Sequence, residues 1–330
     1  MELFTSTLNQ MIFLFALIVI GYLVAKLGAV PITASGVLAK LENNIFIPAL
    51  VLTTFLKGFT VDTLQNAWRL LALGSGIVLA LIPITKLICK RVTKDPYIQR
   101  IYTYGLVFSN FGFMGNAVVL AVFPQYFADY LIFTLPFWTV IYLVGVPRWL
   151  IPNDSEEKKT TLKSNLKSFL NPMFVAMLVG MIFGLVFSMA DVSLFPSDGS
   201  KMHPLVQVID VAGSCMSPIA MLITGITIAG YPFKKMLSNV GIYVVSGIRL
   251  LIYPLITLGV FFLLKPLHIP EYMVVCTVCL MSMPLGLNTI VIPSAYGKDT
   301  SVAAGMALVS HLLSIATIPL IFMLLQNFVL

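Results

Sequence analysis

Charge is what this sequence is shortest of. Only 10% of its 330 residues are Asp, Glu, Lys or Arg, against roughly 25% in soluble domains. A chain so poor in charge, 59% hydrophobic and with mean hydropathy +0.99, has no means of covering itself with a hydrated surface. Soluble globular classes are excluded. Histidine is scarce as well: His203, His268 and His311 stand far apart, without ligand-like spacing. No Asp-rich pair, His-x-x-x-His or glycine-rich phosphate loop lies in the apolar runs, so a membrane hydrolase or lipid transferase would have no catalytic set. Four cysteines occur, all in or beside apolar segments. Cys276-x-x-Cys279 has metal or redox spacing, but no second Cys or His pair accompanies it, and both read as small packing residues. No metal and no cofactor is expected. Residues 1–10 hold no Lys or Arg, so the basic start of a cleavable signal peptide is absent too.

What the chain does have is apolar runs of about 20 residues, continuous rather than alternating, which select membrane helices over a barrel. Ten are expected: 8–27, 35–57, 67–90, 99–122, 126–150, 170–190, 204–230, 237–264, 270–295 and 301–326. The 16 Met and 23 Phe are ordinary packing in such runs. A net charge of +7 would suggest nucleic acid in a soluble protein, but here the basic residues sit in short loops and orient the helices. With the N-terminus outside, four of the 20 basic residues (Lys57, Arg69, Lys201 and Lys265) fall outside and Arg249 falls within a span; the other 15 fall inside. That asymmetry favours both termini outside a bacterial-type plasma membrane.

The only sizeable polar connection, 151–168, carries Asn153-Asp-Ser-Glu-Glu-Lys-Lys159 and reads as an ordinary solvated loop. It divides five spans (1–150) from five (169–330). An odd number per half turns the second half upside down relative to the first, the inverted repeat of many carriers.

Two of the ten runs are interrupted. Span nine carries Ser282, Pro284, Gly286, Asn288 and Thr289 in its middle; span four carries Ser109, Asn110, Gly112, Gly115 and Asn116. Proline removes a backbone donor and an asparagine in hydrocarbon needs a partner, so such stretches belong where a broken helix lines a polar cavity. Interrupted spans at matching positions of two halves point to a transport site. Asn110, Asn116 and Asn288 are the leading binding candidates, since an amide both donates and accepts; the alternative reading is interhelical glue. Ser109, Ser282 and Thr289 join them. Asn43 and Asn44, before Pro48 in span two, either line the cavity or form a polar helix-packing face; their counterparts Ser214 and Ser217, before Pro218 in span seven, either do the same or satisfy backbone freed by the proline. Charged groups within spans are functional candidates by default. Arg249 either counters an anionic substrate, pairs with Asp210 or Glu42, or reaches a headgroup. His311 either carries a coupling proton or bonds a neighbouring helix. Asp210 and Glu42 fall near span starts and read as interfacial.

These motifs resemble the auxin efflux carrier family, in its bacterial malate and malonate permease-like branch, over the whole chain. Asn110-Phe-Gly-Phe-Met-Gly115-Asn-Ala117 is similar to the family's Asn-x-x-x-x-Gly-x-Pro crossover, with Ala117 in place of its proline. Pro284-Leu-Gly-Leu-Asn288 resembles the second crossover, followed by Ala295-Tyr-Gly297 and then Ser310 to Pro319. The resemblance implies an all-α fold like sodium–proton antiporters and bile-acid symporters: ten transmembrane helices in two inverted five-helix repeats, with broken crossing helices four and nine. Spans one, two, six and seven would form a scaffold that dimerises, and spans three to five and eight to ten a moving transport part. Gly112, Gly115, Gly286 and Pro284 would hold the breaks open. The implied function is secondary transport of small organic anions by alternating access, passive or proton-linked. A sodium-coupled symporter of bile-acid type is the alternative carrier, and a non-transporting membrane sensor the alternative class.

Overall fold

The computed structural model describes residues 2–150, 172–192, 194–195, 203–295 and 298–330. The expected linker at 151–168, and Tyr296 and Gly297 after the second interruption, lie outside the described residues. Among the described residues the structure is helical throughout, with no strand beyond one isolated bridge. Its α-helices are α1 (Glu2–Lys26), α2 (Ala34–Leu41), α3 (Ile47–Gly58), α4 (Val61–Val92), α5 (Pro96–Val107), α6 (Asn116–Val122), α7 (Phe127–Val140), α8 (Pro172–Met189), α9 (Pro204–Ser214), α10 (Met216–Ala229), α11 (Phe233–Leu237), α12 (Val240–Gly247), α13 (Tyr253–Leu263), α14 (Glu271–Ser282), α15 (Asn288–Ala295) and α16 (Ser301–Leu324).

Eight helical stretches among the described residues are long and apolar enough to cross a membrane. The other two expected spans, 99–122 and 270–295, are the interrupted ones. Each divides into two short helices, α5 with α6 and α14 with α15, so neither crosses as one rod.

Several spans are widened rather than broken. Between α2 and α3 lies a π turn, Glu42–Phe46, just ahead of Pro48; a second, Ile248–Ile252, lies just ahead of Pro254 between α12 and α13. Proline cannot donate to the carbonyl four residues back, and one added residue in the turn relieves its clash with that carbonyl. Pro218 instead sits in the first turn of α10, where a missing N–H leaves nothing unpaired. α9 passes into α10 through Cys215, whose backbone is still helical, and Ser214 Oγ donates to the Val211 carbonyl there (2.7 Å).

Packing follows small residues. α1 lies along α10, α3 along α8 and α9, α4 along α5 and α7, and α16 against α1, α11 and α12. The α1–α10 contact is backbone against backbone: a Cβ on Gly225 would strike the Ile18 carbonyl and stand 2.6 Å from the Tyr22 nitrogen, and one on Gly21 would strike the Leu222 carbonyl. Contacts between span ends sort into two sets. Lys57 with Asp210, Asn66 with Tyr272 and Lys265 with the Phe328 carbonyl lie at one end; Tyr97 with the Asp299 carbonyl, Tyr102 with Asn239 and Tyr231 with Thr300 lie at the other.

Gly225→Ala is therefore expected to force α1 and α10 apart and to destabilise the protein by about 1–3 kcal/mol, the usual cost of overpacking. Thermal unfolding of the detergent-solubilised protein reads this. An unchanged transition would mean that the close approach contributes nothing to stability.

Candidate functional site

The two interruptions cross each other. α5 ends at Val107 and helical structure resumes with a π turn at Phe111–Gly115; α14 ends at Ser282 and α15 begins at Asn288. The unwound residues between meet as an antiparallel bridge, Ser109 to Leu285, in which the Asn110 N–H donates to the Pro284 carbonyl at 2.7 Å. The approach is possible because residue 286 is glycine: a Cβ there would lie 2.7 Å from the Phe108 carbonyl oxygen. Gly112 and Gly115 serve space in the same way, against Trp138 and the Tyr130 hydroxyl, and none of the three adopts positive φ. Ala117 does not prevent the first break, which falls before Asn116.

Each unwound stretch leaves carbonyls without intrahelical partners in a water-free core, at the negative ends of α5 and α14. Arg249 supplies the donors. Its guanidinium, fully buried, donates from Nε to the Met283 carbonyl (3.0 Å), from one terminal nitrogen to Leu106 (3.1 Å) and from the other to Leu280 (2.6 Å). One planar fork thus ties both breaks together, and the Tyr253 ring lies 5.7 Å from it. The expected partners of Arg249 do not meet it. Asp210 pairs with Lys57 (2.6 Å) at an exposed end. Glu42 is buried, and among the described residues both its carboxyl oxygens lack a protein partner.

The asparagines divide by position. Asn110 is 2% exposed; its Nδ2 lies 2.9 Å from His311 Nε2, while His311 Nδ1 lies 2.8 Å from the Ala307 carbonyl. Among the described residues Asn110 Oδ1 is buried without a protein partner. Asn288 Nδ2 donates to the Tyr104 hydroxyl (3.2 Å). Asn110, Asn288 and Ser109 line one recess of about 10 Å³ at the crossing, closed by Tyr104, Phe108 and Trp138. That is room for a water-sized group. Through Asn288, Phe113 and Trp138 the recess adjoins a cavity of about 280 Å³ that Asn43 and Asn44 also line. Both of those amides meanwhile donate to carbonyls one turn back, Ala39 (2.8 Å) and Lys40 (2.7 Å), so they serve the widened turn as well as the cavity.

Asn116, Ser282 and Thr289 are buried but do not line the recess. Ser282 Oγ donates to the Val278 carbonyl and Thr289 Oγ1 to the Gly286 carbonyl, so each hydroxyl is engaged by its own chain. Ser310 accepts from the Leu285 N–H (3.3 Å). Sequence reasoning passed over Tyr104, Phe113 and Trp138, which read as ordinary aromatic filling.

The family described as membrane transport protein, the auxin efflux carrier family, matches residues 6–322, and the chain belongs to it. No curated protein matches the chain. It is a multi-pass membrane transporter, not an enzyme.

Arg249→Met is expected to leave the Leu106 and Met283 carbonyls unpaired, the Leu280 carbonyl keeping the Ser109 hydroxyl at 3.1 Å, and to destabilise the protein by about 2–6 kcal/mol, at about 1–3 kcal/mol for each buried group left unsatisfied. Arg249→Lys is expected to recover little, because a single ammonium cannot reproduce a planar fork reaching three acceptors. Unfolding temperatures of the two variants check this; a Lys variant as stable as the parent would mean charge alone matters.

Proposed function

We propose that this member of the auxin efflux carrier family carries small organic anions, carboxylates such as malate or malonate, by alternating access at the helix crossing. The observation that carries the reading is that Asn110 and Asn288, far apart in the chain, line one recess where the two interrupted spans bridge. Helical structure resumes on the far side of each break, so two helix N-termini with their positive poles lie at the crossing, the arrangement that favours an anion. The opposite, negative helix ends are occupied by Arg249. A carboxylate oxygen would enter the small recess while the body of the substrate occupies the adjoining 280 Å³ cavity.

The reading includes ten spans in two inverted repeats. The two sets of span-end contacts support it, since each set joins only ends that such a topology places on one side. The pairing of α1 with α10 and of α3 with α8 and α9 suits a scaffold of spans one, two, six and seven, through which the protein would dimerise in a plasma or inner membrane. Spans three to five and eight to ten would move against it.

Uptake of labelled malate and malonate into proteoliposomes tests the site. Asn110→Ala and Asn288→Ala are each expected to lower uptake at least about tenfold, the loss of one hydrogen bond to a charged group, with unfolding temperature little changed in Asn288→Ala and lowered in Asn110→Ala, which leaves the buried His311 Nε2 unpaired. Full uptake by the folded Asn288→Ala protein would remove Asn288 from the site.

A further inference from the structure

We propose that Asn110 and His311 form a proton-operated amide switch, in which protonation of His311 turns the face of Asn110 toward the recess from hydrogen-bond acceptor to donor. The proposal rests on the carboxylate reading of the crossing and adds the means of coupling to it.

The geometry fixes the neutral state. The Ala307 carbonyl can only accept, so His311 Nδ1, 2.8 Å away, carries a proton. In a neutral ring Nε2 is then a bare acceptor, and Asn110 Nδ2 at 2.9 Å donates to it. The amide's other end, Oδ1, is left without a protein partner among the described residues although Asn110 is 2% exposed and lines the recess. A lone acceptor opposes a carboxylate, which offers only acceptors itself. Adding a proton to Nε2, from water on whichever side the recess faces, makes both ring nitrogens donors. Nε2 then requires an acceptor, and a half-turn of the Asn110 amide supplies Oδ1. The same half-turn brings the Nδ2 donors to the former place of Oδ1, beside a new positive charge. The proton and the anion therefore bind together and, on the other side, leave together.

Little else near His311 competes for this role. The helices packed against α16 bring Arg249, already committed to three carbonyls, and Tyr253, Cys276 and Cys279; α10 and α15 bring no ionisable group. Glu2, Tyr22 and Lys26 of α1, Lys234 and Lys235 of α11, Tyr243 of α12 and Glu271 and Tyr272 of α14 stand near the ends of their spans. The buried Glu42 is on another element, the turn between α2 and α3, and the Tyr104 hydroxyl of α5 already accepts from Asn288.

The switch is tested by nitrogen NMR of protein labelled in histidine, in a His203→Gln/His268→Gln background that leaves one imidazole. The neutral ring is expected to carry its proton on Nδ1. Saturating malate is expected to raise the titration midpoint by about one unit or more, which by linkage equals at least tenfold tighter malate binding to the protonated form. In His311→Gln, malate affinity is expected to lose the pH dependence it shows across the range in which wild-type His311 titrates. A neutral ring protonated on Nε2, or a midpoint that bound malate leaves in place, overturns the switch. So does a pH dependence that survives His311→Gln and disappears in Glu42→Gln. If wild-type protein binds malate and Asn288→Ala does not, those failures fall on the switch alone. Absence of malate binding to the folded wild type, or undiminished binding by Asn288→Ala, overturns the carboxylate site and the switch with it.

Discussion

One arginine makes the crossing possible. Two helices that stop within their spans expose the carbonyl ends of both, and the backbone hydrogen bond of the bridge takes up the Pro284 carbonyl but not those of Leu106 and Met283. Arg249 meets the need from a third span, donating to Leu106, Leu280 and Met283 at once. Its charge is balanced by backbone dipoles and not by an acid, which is why Asp210 is free to pair with Lys57 at the surface. The arginine in turn depends on the widened turn at Ile248–Ile252, on which it sits ahead of Pro254. With the negative helix ends occupied, the positive ends of the resumed helices are the uncompensated poles of the site. Under the anion reading proposed above, the site would then need no cation-lined vestibule.

Much of this was legible in the sequence because the interruptions are made of residue types that hydrocarbon does not tolerate without cause. Pro284, Gly286 and Asn288, and Asn110 with Gly112 and Gly115, marked the two breaks from composition alone. What could not be read was which way each polar side chain would turn. Ser282, Thr289 and Asn116 look equivalent to Ser109, Asn110 and Asn288 as letters; only the three-dimensional path separates hydroxyls bonded to their own helix from groups lining the recess. Arg249 stood out as a buried charge, but its acceptors are carbonyls, which every residue has, so no pattern announces them. The Asn110–His311 pair spans 201 residues of chain and carries no local signal either. Glu42 read as interfacial by its place near a span start, whereas the turn it opens carries it inward.

The bridge between Ser109 and Leu285 has a mechanical consequence. Because the two unwound segments share a backbone hydrogen bond and a common arginine, they form one knot. Under the alternating access proposed above, that knot would be carried whole when the surrounding helices tilt, and a pocket carried intact would present the same walls to either compartment. Such a machine would have no built-in direction: it would be a reversible ferry, and the gradients across the membrane would decide which way the cargo travels.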